Sequence, residues 1–253
     1  MNFNYVRKVV CFTRPEVRNQ NPVDLLSRIE RAAASPSEII KEITHRSEIK
    51  RTLRVNIAPW GDLCLHEYRW DLRRVALSPF RLSRGEKTWK FHDAIVRNGV
   101  FVPEPVLMVE IKTFLFTTKT YVVTRWIDAV FSVGNLGFVE KLPDDLHSIL
   151  FKCVDAIANL HNAGFIHGDL KWSNFLCMRG RDHDIALIDL DSLRKTSSVL
   201  AQGRDFARFL VPPKNYQLKQ DMRDRLTERY LGKRGHSQLL EKVIRTYAAK
   251  KRV

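Results

Sequence analysis

The stretch from Phe165 to Asp191 decides the fold: it begins FIHGDLKWSNFL, continues through a polar turn and ends IALIDLD. Four polar residues stand out in it, Asp169, Lys171 and Asn174 in the first half and Asp189 in the second. The first aspartate falls on a short loop, the asparagine follows five positions later, and the last aspartate ends a strand-like apolar run. This order and spacing are typical of a site for phosphoryl transfer.

Each of these residue types has a role in that chemistry. Transfer from ATP to a hydroxyl needs a carboxylate that accepts or orients the hydroxyl proton, and oxygen ligands that hold Mg²⁺ against the phosphates. Asp169 is the candidate catalytic carboxylate, and Lys171 is the candidate cation for the transferring phosphate. Asn174 and Asp189 are the candidate Mg²⁺ ligands, and through the metal they take part in binding ATP.

The same residues resemble the H-R-D-x-x-x-x-N and D-F-G segments of the protein-kinase-like superfamily, with HGDLKWSN at 167–174 and DLD at 189–191 in their places. Gly168 replaces the arginine of many protein kinases, and Leu190-Asp191 replaces Phe-Gly. Both departures resemble the lipopolysaccharide core kinase family, which phosphorylates heptose or Kdo sugars. The run GRDFAR at 203–208 is similar to an aspartate-containing helix start of that family.

This resemblance implies an α+β class and a two-lobed protein-kinase-like fold, with a small antiparallel-sheet N-terminal lobe and a mainly helical C-terminal lobe. We place the N-terminal lobe, with a leading helix and a sheet that covers ATP, at residues 1–127, and the catalytic lobe at 128–253. Together they make a single kinase-like domain. Short strands predicted at 39–43, 52–57 and 63–68 suit the sheet of the first lobe.

Three helix signals accompany the strands. Apolar residues from Leu146 to Leu160 recur at helical spacing, and Gly164 terminates that pattern. Ser83 and Glu86 form a capping box at the start of a second helix. A third helix is predicted to begin at Asp205, whose carboxylate we expect to brace the catalytic loop.

The chain departs from the family pattern at two positions that would contact ATP. The third strand of the family commonly carries a lysine for the phosphates, and His66 holds that position here. The next helix commonly carries the glutamate partner of that lysine, and here Thr88 takes its place. The resemblance assigns the inter-lobe hinge to 125–128, which makes Arg125 and Ile127, with His66, the further candidate cofactor-binding positions.

Composition narrows the class of protein. The chain has 253 residues, of which 44% are hydrophobic and 28% are charged, as expected of a soluble globular protein. No apolar run approaches the ~20 residues of a membrane-spanning helix, and the first residues do not resemble a secretory signal, so we expect a cytoplasmic protein. The four cysteines lack metal-ligand spacing, which argues against a zinc site or a disulfide framework.

The formal net charge of +15 favours an anionic partner such as nucleic acid, a phosphorylated sugar or an acidic membrane face. A solvated basic surface is an equally good interpretation, because the basic residues are spread along the chain. The resemblance implies a lipid-linked anionic sugar acceptor, peripheral contact with the cytoplasmic face of the inner membrane, and no nucleic acid. It leaves the oligomeric state open.

Three functions follow from these observations. The favoured one is an ATP-dependent kinase that phosphorylates a sugar hydroxyl of the lipopolysaccharide inner core, on heptose or Kdo. The second is a pseudokinase that binds an anionic partner through its basic surface; the residues at 66 and 88 support it, and the retained carboxylates oppose it. The third is an atypical small-molecule or Ser/Thr kinase with a similar HGD loop.

Overall fold

The computed structural model describes residues 7–13, 21–37, 39–47, 50–80, 82–138, 146–179, 184–214 and 216–250. The chain forms two compact units, which are Met1–Lys90 with Pro103–Trp126, and Phe91–Val102 with Ile127–Val253. The segment Phe91–Val102, which the sequence places in the N-terminal lobe, groups with the second unit.

The first unit is built on one antiparallel sheet. Its elements are β1 (Arg7–Thr13), α1 (Pro22–Ala34), β2 (Ile39–Ser47), β3 (Lys50–Ile57), β4 (Gly61–Arg69), α2 (Leu72–Leu77), the start of α3 (Arg84–Arg97), β5 (Pro105–Thr113) and β6 (Phe116–Arg125). The strand order is β1-β5-β6-β4-β3-β2, and every neighbouring pair is antiparallel. The predicted antiparallel-sheet lobe is therefore confirmed, with the three predicted strands as β2, β3 and β4.

The two faces of this sheet have different partners. On one face α1 buries Leu25 and Ile29 against strand residues such as Leu53 and Leu65. The opposite face carries a smaller cluster around Tyr68, into which Trp89 of α3 packs. Strand β5 buries residues 105–111 in succession, because both faces of the sheet are covered there, and a slip of one residue would exchange the two faces.

The second unit is mainly helical. Its elements are the last part of α3, β7 (Ala129–Ser132), α4 (Leu146–Asn162), β8 (Phe165–Ile166), β9 (Phe175–Met178), β10 (Ile185–Leu187), β11 (Arg194–Lys195), α5 (Val199–Phe209), α6 (Gln220–Arg234) and α7 (Gln238–Lys250). A small sheet has the order β10-β9-β7, and β11 pairs with β8. The expected sheet-then-helix division of the chain is present.

Helix α4 is the centre of the second unit. Ten of its residues are buried, which explains the apolar helical spacing in its sequence. It ends as predicted, because Gly164 adopts a φ of +79° and its N–H donates to the carbonyl of His161. The chain then enters β8. The candidate catalytic segment therefore follows directly after a helix whose position is fixed by the burial of ten residues.

Helix α5 begins earlier than the sequence predicted. Asp205 lies inside the helix and not at its start, because the helix begins at Val199 and the hydroxyl of Ser198 caps it by accepting the N–H of Ala201. Residues 196–198 are Thr-Ser-Ser, three capping-type residues in succession, so no single one marks the boundary in the sequence. The helical position directs the carboxylate of Asp205 into the protein, where the residue is 4% exposed.

Within the described part of the chain, no helix combines the length and the apolar character needed to span a bilayer.

Candidate active site

The loop between β8 and β9 alternates between buried and exposed side chains. Leu170 and Trp172 belong to the core of the second unit, and the indole Nε1 of Trp172 donates a 2.6 Å hydrogen bond to the carbonyl of Phe209. Between them, the side chains of Asp169 and Lys171 are 45% and 52% exposed. The buried residues fix the loop and leave the two charged groups accessible to a substrate.

Asp169 and Lys171 form an ion pair in which Nζ lies 2.9 Å from Oδ2. A pair this exposed contributes little to folding stability. The pair is more important for chemistry than for stability, because it places a proton acceptor beside a cation that can neutralise charge on a phosphoryl group.

Asn174 connects the loop to the second half of the motif. Its side chain is buried, and its Nδ2 donates a 2.8 Å hydrogen bond to the backbone carbonyl of Asp169. Its own backbone carbonyl accepts the N–H of Ile188 at 2.9 Å, which places Asp189 at the same end of the β9–β10 hairpin. The amide of Asn174 is thereby oriented, with the nitrogen committed to the loop.

Asp189 adopts a left-handed backbone conformation with φ of +61° and ψ of +55°. Among the described residues that are not glycine, only Asp189 and Phe114 have a positive φ. Such a conformation costs free energy for an L-residue and persists where the surroundings impose it, often at functional sites. The conformation distinguishes Asp189 from the other described aspartates of the hairpin and turn.

His167 links the two halves of the motif through both ring nitrogens. Its Nε2 lies 2.9 Å from the carbonyl of Ile188 and must donate, because a carbonyl only accepts. Its Nδ1 then accepts the N–H of Asp169 at 3.4 Å. The ring is therefore the Nε2–H tautomer, and it holds the loop in place.

The carboxylate of Asp205 braces the same loop. It accepts the N–H of His167 at 2.7 Å and the N–H of Gly168 at 2.9 Å, and Nε2 of His161 lies 3.4 Å away. Burial raises the pKa of Asp205, but the hydrogen bonds from the two histidines outweigh it, so the pKa lies below its ordinary value. The brace expected from the sequence is present.

His161 is the second buried member of this network. Its Nδ1 lies 2.6 Å from the hydroxyl of Tyr230 in α6, and its Nε2 faces Asp205. Burial lowers the pKa of His161, and the nearby carboxylate opposes this shift without reversing it. A neutral ring that donates to Asp205 and accepts from Tyr230 satisfies all three groups.

The glycine at position 168 has a steric cause. Gly168 adopts a φ of +84°, and a Cβ added there would lie 2.7 Å from the backbone oxygen of Ser192. Any side chain would therefore require both strain and displacement of the segment after Asp189. The present loop conformation is therefore compatible with glycine at this position.

The donor set at Asn174 and Asp189 fits Mg²⁺ held jointly with phosphates. Among the described residues, no cluster of three or more His, Cys, Asp or Glu side chains could form a metal cage. Mg²⁺ commonly binds through one or two protein oxygens together with substrate phosphates. One amide oxygen and one carboxylate at the same end of a hairpin match that mode.

His66 lies in the first unit, at the middle of β4. Its Nδ1 is 3.1 Å from the hydroxyl of Thr52, and its Nε2 is 3.5 Å from the thiol of Cys64. Two positions further along β4, Tyr68 lies opposite Lys50 of β3. The ammonium of Lys50 lies 5.5 Å from the centre of the Tyr68 ring.

Thr88 also takes part in a local contact, since its hydroxyl donates to the carbonyl of Arg84 one turn earlier at 3.1 Å. Glu86 is the nearest acid in α3. It forms the predicted capping box, with its carboxylate accepting the N–H of Ser83 and its own N–H donating to the Ser83 hydroxyl, both at 2.9 Å. The capping box is confirmed, and it occupies the carboxylate of Glu86.

The hinge candidates fall on either side of the division between the units. The N–H of Arg125 donates to the carbonyl of Glu104 at 2.9 Å, and the N–H of Trp126 donates to the carbonyl of Asp62 at 3.2 Å. Ile127 is the first residue after this division and lies outside any strand. The adenine-binding roles of Arg125 and Ile127 remain predictions.

Two cations were not selected from the sequence. Arg208 donates a hydrogen bond to the carbonyl of Gly168. The sequence could have indicated it, because Arg208 follows Asp205 by three residues, a spacing that places both on one face of α5. Lys50 shares a sheet face with His66, and only the register of β3 against β4 reveals that. Spacing within one element is readable in a sequence, whereas register across strands is not.

The chain was compared with known proteins. The family model described as "Lipopolysaccharide kinase (Kdo/WaaP) family" matches residues 71–230. No curated protein sequence gives a significant match.

Among solved structures, "WaaP in complex with acyl carrier protein" matches with a TM-score of 0.64 and 16% sequence identity. The match covers 96% of this chain and 98% of that chain. At this identity the likeness concerns the fold, and it supports the two-lobed kinase-like architecture.

Replacing Gly168 with alanine should reduce stability more than the same change at Gly164. Both residues have a positive φ, but an added Cβ meets nothing within 4 Å at Gly164. We expect Gly164→Ala to cost about 1 kcal/mol from backbone strain, and Gly168→Ala to cost roughly 1–3 kcal/mol more from the contact with Ser192. Urea unfolding of both variants measures the difference, and equal costs would show that Ser192 moves aside freely.

Replacing Asp205 with asparagine should destabilise the protein in a pH-dependent way. The folded pKa is below the ordinary value of 3.8, so the stabilisation is complete above that value and is lost as the pH falls through the folded pKa. We expect Asp205→Asn to lower the free energy of unfolding at neutral pH by about 2–4 kcal/mol. Urea unfolding at pH 7 and near pH 3 measures this, and the deficit should shrink at the lower pH.

The control for this series is Asp128→Asn, whose side chain is 74% exposed and pairs with Arg179 at the surface. Its cost should be small at either pH. A deficit for Asp205→Asn that does not change with pH would contradict an ionised brace.

Replacing His66 with lysine should strengthen ATP binding. A lysine ammonium would bring a full positive charge to the phosphates and so strengthen the hydrogen bonds it donates to them, and we expect roughly tenfold tighter binding by calorimetry with Mg²⁺. His66→Gln, which keeps a polar group beside Thr52 without the charge, is the control. If His66→Lys binds no better than the native chain, another cation, such as Lys50, already meets the phosphates.

Proposed function

Because the chain belongs to the lipopolysaccharide kinase (Kdo/WaaP) family, we propose that it transfers the γ-phosphoryl group of ATP to a sugar hydroxyl of the lipopolysaccharide inner core, on heptose or Kdo. The chain is a phosphotransferase by family. The observation that carries the finer proposal is the loop geometry, in which Asp169 and Lys171 are exposed side by side on a segment fixed by buried anchors.

Asp169 is the group we assign to the acceptor hydroxyl. Its carboxylate is accessible, and its backbone is held on both sides, by the His167 ring at its N–H and by the Asn174 amide at its carbonyl. A base that is fixed in this way can orient the hydroxyl and accept its proton as the bond to phosphorus forms. Holding the backbone limits the motion of the carboxylate to its own two torsions.

Lys171 is the group we assign to the transferring phosphoryl. In the ion pair its ammonium neutralises the Asp169 carboxylate. When a substrate hydroxyl and a phosphoryl group approach, the same ammonium can shift to the phosphoryl oxygens, because it is a point charge on a flexible stem. That shift leaves the carboxylate oxygens of Asp169 available to the acceptor hydroxyl.

Asn174 and Asp189 are the residues we assign to Mg²⁺. When bound, the metal would neutralise charge on the ATP phosphates. The chain contributes the orientation of these two groups, through the hydrogen bonds that tie the loop to the hairpin and through the left-handed backbone at Asp189.

The acceptor that we propose is a lipid-linked anionic sugar met at the cytoplasmic face of the inner membrane. The net charge of +15 supports this, since a cationic protein approaches an acidic lipid surface faster and binds it more tightly. The dependence on charge predicts that salt weakens the encounter.

The test is transfer of phosphate from ATP to deacylated core oligosaccharide in the presence of Mg²⁺. Asp169→Asn should lower the turnover by about two orders of magnitude or more, as expected for loss of a catalytic base, while the far-UV circular dichroism stays unchanged. Asp184→Asn, at an exposed position beside β10, is the matched control and should keep native turnover.

Two outcomes would contradict the proposal. Unchanged turnover in Asp169→Asn would remove Asp169 from the role of base. A native chain that binds no ATP at millimolar concentration would favour a binding protein that keeps the fold, and His66 and Thr88, which stand at the lysine and glutamate positions, would then explain the loss.

A further inference from the structure

The first unit exposes a group of large apolar side chains on segments that are adjacent in the fold. They are carried by the turn between β5 and β6, by the start of α2 and by the helical turn Ser78–Phe80 that follows it. Their exposed fractions are 74% for Leu115, 64% for Phe114, 41% for Phe116, 90% for Leu72 and 85% for Phe80. We call these five residues the hairpin-tip surface.

Hydrogen bonds hold the three segments together. The N–H of Thr117 donates to the hydroxyl of Ser78 at 2.8 Å, which places Phe80 beside the hairpin. The N–H of Trp70 donates to the carbonyl of Thr118 at 3.2 Å, which places the start of α2 beside the same strand. The five exposed apolar side chains are therefore carried by segments that lie next to one another.

The conformation of Phe114 is a separate sign that this surface has a use. Two-residue hairpin loops favour glycine or asparagine where φ is positive, and here a phenylalanine adopts a φ of +56°. An exposed aromatic side chain in that conformation costs backbone free energy and returns nothing to the core. The residue at this position is therefore unfavourable for the folded chain alone.

The segments that carry the apolar residues are rich in cations. The segments 67–84 and 110–119 contain seven Arg and Lys residues against three carboxylates. Each carboxylate is paired within these segments, Glu67 with Arg69 and Lys119, Asp71 with Arg74, and Glu110 with Lys112. The balance of charge around the hairpin-tip surface is positive.

A cavity of about 130 Å³ lies next to this surface. Its lining includes Arg69, Arg74 and Arg84, with the aromatic rings of Tyr68 and Trp70. Arginine is well suited to phosphate, and tyrosine and tryptophan are enriched where an apolar phase meets water. The cavity is thus suited to an anionic headgroup beside an apolar phase.

We propose that the hairpin-tip surface inserts into a bilayer that contains anionic lipids, with the arginines of the cavity contacting lipid phosphates. This inference deepens the proposed function, and it rests on that function for the lipid-linked acceptor. Apolar residues at a projecting turn, on segments that are rich in cations, match the two signals that together give stable membrane association. A second copy of this chain is a poorer occupant, because a symmetric contact would bring the same cations together.

The experiment is sedimentation of the full chain with vesicles, in the absence of nucleotide and acceptor. Vesicles of phosphatidylethanolamine with phosphatidylglycerol should bind the protein, and phosphatidylcholine vesicles should bind it at least tenfold more weakly. Raising the salt concentration should weaken binding to the anionic vesicles.

A double variant, Phe114→Asn with Leu115→Ser, removes the two apolar side chains of the turn without harm to folding, since asparagine tolerates a positive φ. We expect it to bind anionic vesicles at least tenfold more weakly than the native chain. The control is Val130→Asn with Leu239→Ser, two side chains that are each 53% exposed in the second unit, and it should bind as the native chain does. Arg74→Gln with Arg84→Gln, which removes two of the three arginines that line the cavity, should reduce the preference for anionic lipid.

Equal binding to both kinds of vesicle would overturn the inference, and so would native vesicle binding by the turn variant. A turn variant that still binds vesicles but has lost self-association or binding to acyl carrier protein would also overturn it. Failure of phosphoryl transfer would not affect this outcome, because the vesicle assay contains neither substrate. Conversely, the turn variant should phosphorylate deacylated core oligosaccharide at the native rate if only membrane contact is lost.

Discussion

The carboxylate of Asp205 is the interaction on which the candidate site depends. It accepts the backbone N–H groups of His167 and Gly168, and it does so from inside α5, where it is shielded from water. Two loop amides that lie away from any strand partner need an acceptor, and a buried charge satisfies them more strongly than a neutral group. The position of the exposed candidate carboxylate at Asp169 therefore depends on a buried residue in a different element.

The same network ties five segments of the second unit together. His161 connects Asp205 to α4 and, through Tyr230, to α6, and the His167 ring connects the loop to the backbone before Asp189. Each histidine ring has one favoured tautomer, because the groups it faces decide which ring nitrogen donates and which accepts. A proton on Nδ1 of His167 would face the N–H of Asp169, a donor against a donor, so the network favours one arrangement of the loop.

The parts of the fold that the sequence predicted are those with a strong local signal. Helix α4 was readable from apolar spacing and a terminating glycine, and the capping box of α3 from Ser83 and Glu86. The short helix α2 and the edge strand β1 were missed, because one has no buried residue among Leu72–Leu77 and the other depends on pairing with β5 for its stability. Helix α5 was placed too late, since its cap is one of three adjacent capping-type residues.

The candidate site shows the same limit. Spacing and the resemblance to kinase segments selected Asp169, Lys171, Asn174 and Asp189 as candidates, since all four lie within one short stretch of the chain. The sequence did not explain the glycine at position 168. A side chain there would contact the backbone of Ser192, which is distant in sequence and close in space. The face shared by His66 and Lys50 likewise depends on strand register, which a single sequence does not specify.

The chain between Asp189 and helix α5 is short, because Arg194 and Lys195 already pair with β8 as strand β11. Within a few residues the segment returns to the loop, and the N–H of Thr196 donates to the carbonyl of Gly164 at 2.7 Å before Ser198 caps the next helix. A switch needs a stretch that can take up two arrangements, and here that stretch is hydrogen-bonded to the element it would have to release. The segment between Asp189 and α5 is thus held by the same elements as the candidate catalytic loop, and it offers no separate stretch for such a switch among the described residues.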